Sequence, residues 1–201
     1  PAASSGPVTV TAGGQTSDGY NFIVLPPNPQ PGGVVGDLPA GQGARDIALT
    51  PDGTRAYVTN PPLNTISALD LTTASVITSI TVGLKPQSVA ILASPPRAYV
   101  ANTNSNSVSV VDIDPASADY HRVINTIPVG EAPVDVVVSP AGPKVFVVNN
   151  ASHDISVIDA NAGNATFDQV TGSVNTGSGG VAVNISADGT TLEWKEHQIN
   201  L

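Results

Sequence analysis

The chain has no cysteine, no methionine, few aromatic residues (4%) and only seven basic side chains. Without Cys, a disulfide framework and a Cys-based zinc site are excluded. The basic residues (Arg45, Arg55, Lys85, Arg97, Arg122, Lys144 and Lys195) are scattered, and the net charge is -9. No basic patch arises, so nucleic acids and anionic membranes are not expected as partners. No stretch is long and apolar enough to cross a bilayer, so no transmembrane segment is expected. Only three histidines occur, His121, His153 and His197, at no metal-binding spacing. Neither a zinc or copper site nor a hydrolytic triad is supported. No glycine loop follows a strand and opens a helix, so no nucleotide cofactor is expected, and none of another kind is indicated. Methionine is missing even at position 1, where the chain opens "PAASSGPVTV". This reads as a start inside a longer product, with signal-peptide removal as one route.

What is present is Val, Ile, Gly, Pro, Asn, Ser and Thr. Apolar residues make up 40% of the chain against 11% charged. Val and Ile favour strands, and the small polar residues with Gly and Pro favour turns, so many short strands are expected. Repeats organise them. "YVTN" at Tyr57 to Asn60 returns as "YVAN" at Tyr99 to Asn102 and as "FVVN" at Phe146 to Asn149. Asp70, Asp112 and Asp159 keep the same spacing, and Gly41, Gly83, Gly130 and Gly177 open the units. Each unit carries four strand-like pieces, the first being "DIALT", "RAYVTN", "TISALD" and "VITSITV". The units lengthen at "PASADYHR", between third and fourth pieces, where a surface loop tolerates insertion.

Four short antiparallel strands every 42 to 47 residues predict an all-β fold, a β-propeller of four-stranded blades. The expected boundaries are a partial blade over 8–40, complete blades over 41–82, 83–129 and 130–176, and a partial blade over 177–201. In the first partial blade "YNFIVL" and "GVVGDLPAG" are expected as strands. In the last, "VAVNISADGTTLEW" supplies two strands and "HQINL" opens a third. The 201 residues are then one propeller domain or a fragment of one. Missing blades would come from the same polypeptide or a second copy.

The repeated signature reads "PDGTRAYVTNPPLNTISALD", "SPPRAYVANTNSNSVSVVD" and "SPAGPKVFVVNNASHDISVID". Over roughly residues 41 to 194 it resembles the YVTN-family β-propeller repeats. That resemblance implies the fold and a ring of usually seven blades. It says less about function, because the group includes surface-layer proteins, secreted proteins and relatives of enzyme subunits.

Tyr57, Tyr99 and Phe146 are expected to pack blade on blade, and Asn60, Asn102 and Asn149 to hold the following turn. Asp70, Asp112 and Asp159 recur in every unit. Catalysis needs a unique constellation, so these are expected to accept backbone hydrogen bonds, and no catalytic residue is assigned. First strands line the channel of a propeller. Their starts are Arg45-Asp46, Gln87-Ser88, Val134-Asp135 and Gly180-Val181, which makes Asp46, Ser88 and Asp135 the candidates for a ligand at the channel mouth. A cation is one such ligand, although the sequence assigns no metal. The main expectation is a non-enzymatic protein, secreted or on the cell surface, that binds a protein or surface polymer through loops such as "NTNSNS" at 102 to 107. The alternative is a lactonase-like hydrolase, or a propeller like a dehydrogenase subunit, with its site at the channel mouth.

Overall fold

The computed structural model describes residues 7–12, 15–22, 40–41, 43–177, 182–189, 191–194 and 197–200. The repeat units fold as predicted, into an all-β propeller of antiparallel blades. The first complete blade contains β3 (Ile47–Leu49), β4 (Arg55–Asn60), β5 (Thr65–Asp70) and β6 (Ser75–Thr81), given that β1 (Pro7–Ala12) and β2 (Gln15–Phe22) precede it as a two-stranded sheet. The second contains β7 (Pro86–Leu92), β8 (Arg97–Asn102), β9 (Ser107–Asp112) and β10 (Val123–Pro128). The third contains β11 (Pro133–Val138), β12 (Lys144–Asn149), β13 (Asp154–Asp159) and β14 (Gln169–Asn175). β15 (Asn184–Ile185), β16 (Thr191–Trp194) and β17 (His197–Asn200) form a three-stranded sheet. At the other end, the hairpin β1–β2 takes in Tyr20 to Phe22 of the expected "YNFIVL" strand. The rest of that stretch and most of "GVVGDLPAG" lie outside the described residues.

Alternation along the strands explains the stacking. Tyr57, Ile66 and Ala68 of the first blade pack on Val89, Ala98, Val100 and Val111 of the second. Tyr99, Val108 and Val110 of the second pack on Val136, Val145, Val147 and Ile158 of the third. Phe146, Val148 and Ile155 then meet Val183 and Leu192. Adjacent residues of one strand thus serve opposite faces, as a period of two requires. Each fully buried Val, Ile or aromatic contributes about 1.5–3 kcal/mol, so the stack is held mainly by these faces.

Turn chemistry sets the strand ends. In "PDGT", Gly53 sits at φ 67° and Asp52 accepts hydrogen bonds from the Thr50 hydroxyl and the Thr54 amide, which hold its carboxyl down to about 2. Asn64 and Asn106 adopt left-handed backbone after short 3-10 turns, at φ 56° and 49°. Their side-chain oxygens accept the Lys85 and Ala132 amides of the following blade, at 2.8 and 2.9 Å.

Candidate functional site

Tyr57 and Tyr99 are fully buried and Phe146 is 1% exposed, between blades. Each tyrosine hydroxyl reaches a loop of the next blade. Tyr57 Oη lies 3.0 Å from His121 Nε2, and Tyr99 Oη donates to Asp168 Oδ1 at 2.7 Å. Asn60, Asn102 and Asn149 donate from Nδ2 to the hydroxyls of Ser67, Ser109 and Ser156, at 2.8 to 2.9 Å. They clamp strand two to strand three rather than the turn alone. Asp70 Oδ1 accepts the Thr72 and Thr73 amides, Asp112 Oδ1 that of Asp114, and Asp159 Oδ1 that of Asn161. These bonds, with hydroxyls of Thr72 and Thr166, hold Asp70 and Asp159 below the usual carboxylate range.

Asp46, Ser88 and Asp135 do converge. They line one groove of about 560 Å³ along the first strands β3, β7 and β11, with Arg45, Gln87 and Asn184 as further polar groups. Register shifts between Pro86 and Ser88, and between Pro133 and Asp135, place an extra residue before Ser88 and before Asp135, as a β-bulge does. Gly180-Val181, the fourth expected start, lies outside the described residues, and Ala182 beside it is exposed.

The three side chains share one geometry. Asp46 Oδ2 accepts the Val89 amide at 2.8 Å, Ser88 Oγ accepts the Val136 amide at 3.3 Å, and Asp135 Oδ2 accepts the Val183 amide at 2.8 Å. Each therefore reaches from its own blade to the following one. Asp46 Oδ1 also accepts the Ile47 amide, and Asp135 Oδ1 accepts both the Val136 amide and the Ser88 hydroxyl, at 2.9 Å each. Burial pushes both carboxyls above the usual range, although the hydrogen bonds act against it. These are desolvated acids in a groove wall, not solvated strand ends. A carboxylate has about four lone-pair sites, and the two bonds to Asp46 leave acceptor capacity for a water or substrate. Among the described residues no three His, Asp or Glu side chains come together as a metal site, and no helix is long and apolar enough to cross a membrane.

Sequence reasoning missed a second set of residues. The loop before β14 inserts Phe167 and Asp168 against Arg97 and Tyr99, with the Arg97 guanidinium paired to Asp168 and 4.3 Å from the Phe167 ring. The loop before β10 inserts Tyr120 and His121 against Arg55 and Tyr57 in the same way. The available signal was an aromatic followed by a polar residue just before each fourth strand, in "DYHR" and "TFDQ".

A β-propeller with a polar groove along its inner strands is the class that fold and site define. The chain belongs to the family described as "Lactonase, 7-bladed beta-propeller", whose model matches residues 30–184. This corrects the YVTN resemblance. Its signature residues are buried architecture, which recurs with the blade and does not separate one propeller family from another. It also corrects the expectation of a non-enzymatic binding module, since the family is a hydrolase family. That expectation rested on the few charges, the absence of Cys and of catalytic clusters, and the polar loops, whereas the groove is lined by two carboxyl groups.

Among solved structures, the chain is similar to hydrazine synthase of Kuenenia stuttgartiensis, with 31% identity, a TM-score of 0.66, and coverage of 82% of this chain and 44% of that one. It is similar in fold to a functionally unknown protein from Desulfotomaculum acetoxidans, with 20% identity, a TM-score of 0.66, and coverage of 77% and 50%. It is likewise similar in fold to dihydro-heme d1 dehydrogenase NirN in complex with DHE, with 17% identity, a TM-score of 0.62, and coverage of 81% and 34%. The chain thus spans half or less of the length of these structures. Comparison with curated protein sequences gives no match.

Proposed function

We propose that this chain forms part of a lactonase-type hydrolase that opens a cyclic ester in the groove along β3, β7 and β11. The observation that carries the reading is the family match over residues 30–184, which spans every candidate in the groove. Lactone opening needs a base for water, a cation or donor for the oxyanion, and an acid for the leaving alkoxide. Asp46, raised by burial and with acceptor capacity left, takes the proton of the attacking water. The water oxygen bonds to the carbonyl carbon, and Arg45, at the groove wall, faces the oxyanion. The ring C–O bond breaks, and the alkoxide recovers the proton from Asp46, giving a hydroxy acid. The test is proton release from a panel of γ- and δ-lactones in a pH-stat. Hydrolysis that is lost in R45A and D46N supports the reading; no hydrolysis above buffer by the complete ring sinks it.

The complete ring matters because the described residues hold three complete blades and the family is seven-bladed. We infer that the remaining blades come from the same polypeptide or a second copy, and that the boundaries fall at 41–82, 83–129 and 130–176. Intact mass with light scattering separates the two sources. A secreted or surface location is supported by the few charges and the polar "NTNSNS" loop. The similarity to hydrazine synthase, at 31% identity, favours a second reading, in which the propeller is a module of a larger redox enzyme. Co-purification with a redox partner, without lactone hydrolysis, would favour it.

A further inference from the structure

The buried Ser88 hydroxyl stands between two half-buried carboxyl groups contributed by different blades. It donates to Asp135 Oδ1 at 2.9 Å, and it faces Asp46 as well, whose ionised form it favours. Asp46 is anchored beside Ser88 through the Val89 amide, the next residue along β7. A hydroxyl has one hydrogen, so it satisfies one carboxylate at a time. The charged groups around the pair are few. Arg45 faces Asp46 from the same strand end, and the Thr59 hydroxyl of β4 is occupied by the Asp46 amide. Asp135 is faced by Ser88, by Asp46 and by the backbone amides of Val136 and Val183, and by no cation among the described residues.

Two acids with one movable donor between them, in a desolvated wall, resist ionising together. We propose that Ser88 is a positioning residue that ties Asp46 and Asp135 into a single carboxyl pair holding one shared proton. Arg45 faces Asp46 and no cation among the described residues faces Asp135, so the shared proton resides mainly on Asp135. The coupling stands on these contacts, and only its use in hydrolysis rests on the function proposed above. In that use Asp135 holds the shared proton, and Asp46, the ionised member, takes the proton from water.

The experiment is a pH titration of the aspartate side-chain ¹³C carboxyl shifts in the full chain, assigned with D46N and D135N and repeated in S88A and S88T. The expected result is two signals that share their inflections. D46N should lower the Asp135 midpoint by about one pH unit or more and leave a single inflection. S88A should move both midpoints upward, and S88T, which keeps the hydroxyl, should restore them. Independent single inflections that D46N leaves in place overturn the proposal. So do S88A curves identical to those of the unaltered chain. Coupled titration without lactone hydrolysis keeps the pair and removes the hydrolase reading. Hydrolysis with independent titration does the opposite.

Discussion

A Cβ atom placed on Gly83 would lie 2.6 Å from Cγ of Asn102, so the asparagine amide occupies the space a side chain would need. The same holds in the neighbouring blades, at 2.4 Å between Gly41 and Asn60 Oδ1 and at 2.6 Å between Gly130 and Asn149 Nδ2. Two repeat markers that look separate in the chain are one contact in space. The asparagine is buried and bonded to strand three, so it has nowhere to yield. G83A should therefore cost about 1–3 kcal/mol through overpacking. G142A, where a Cβ meets nothing within 4 Å, should stay within about 0.5 kcal/mol. Urea unfolding of both variants checks the contrast.

Acid should weaken the contact between the first and second blades. Burial holds His121 down to about 4, with Arg55 adding to the effect and Asp112 opposing it. A folded pKa below the unfolded value near 6.5 means that between pH 4 and 6.5 the unfolded chain binds more protons. The contribution of His121 is thus complete above pH 6.5 and is lost as pH falls towards 4. Protonation also removes the Nε2 acceptor for the Tyr57 hydroxyl. Asp46 and Asp135, raised by burial, act in the opposite direction, since their folded forms hold protons more tightly. Tm measured against pH for the unaltered chain and for H121N isolates the histidine. The difference between the two should shrink as pH drops through that window; a constant difference would refute the assignment.

The second and third blades are joined by a buried ion pair. Arg97 is 18% exposed and Asp168 6%. D168A leaves the Arg97 guanidinium without its partner and should cost about 3–5 kcal/mol. Y99F removes one hydrogen bond and leaves the pair intact, so about 1 kcal/mol is expected. Chemical denaturation should rank D168A well below Y99F.

If Asp46 takes the proton from water, the rate should rise with pH through a midpoint above the ordinary value of 3.8. D46N should lower kcat by about 10²- to 10⁴-fold with a smaller change in KM. Its amide oxygen can still accept the Val89 amide, so circular dichroism should remain that of the unaltered chain. A pH–rate profile on any lactone that is turned over provides the check.

Much of this was legible before the fold was known. "RAYVTN", "TISALD", "RAYVAN", "SVSVVD", "KVFVVN" and "QVTGSVN" coincide with whole strands, because a period of two, β-branched residues and Pro/Gly turns are local properties. Asp46, Ser88 and Asp135 were found by their place in the repeat, and the groove contains all three. The latches of His121 and Asp168 were not found. They join residues 64 and 69 positions apart along the chain, and no local period carries such a pairing. The family was misread for a related reason: the conspicuous residues are those that build any such blade, whereas the groove's polar residues differ from blade to blade.

The sequence alone determined the blade, since strand period, turn residues and the recurring Gly and Asn are written into each unit. Tertiary structure decided everything that passes between blades. Asp46 and Asp135 each accept one amide from the following blade, and the hydroxyl that faces both belongs to a neighbouring blade. Burial is the main cause that lifts both acids above the ordinary range, with the Asp46 charge adding to it at Asp135, and desolvation is a property of the stacked blades and not of any one segment.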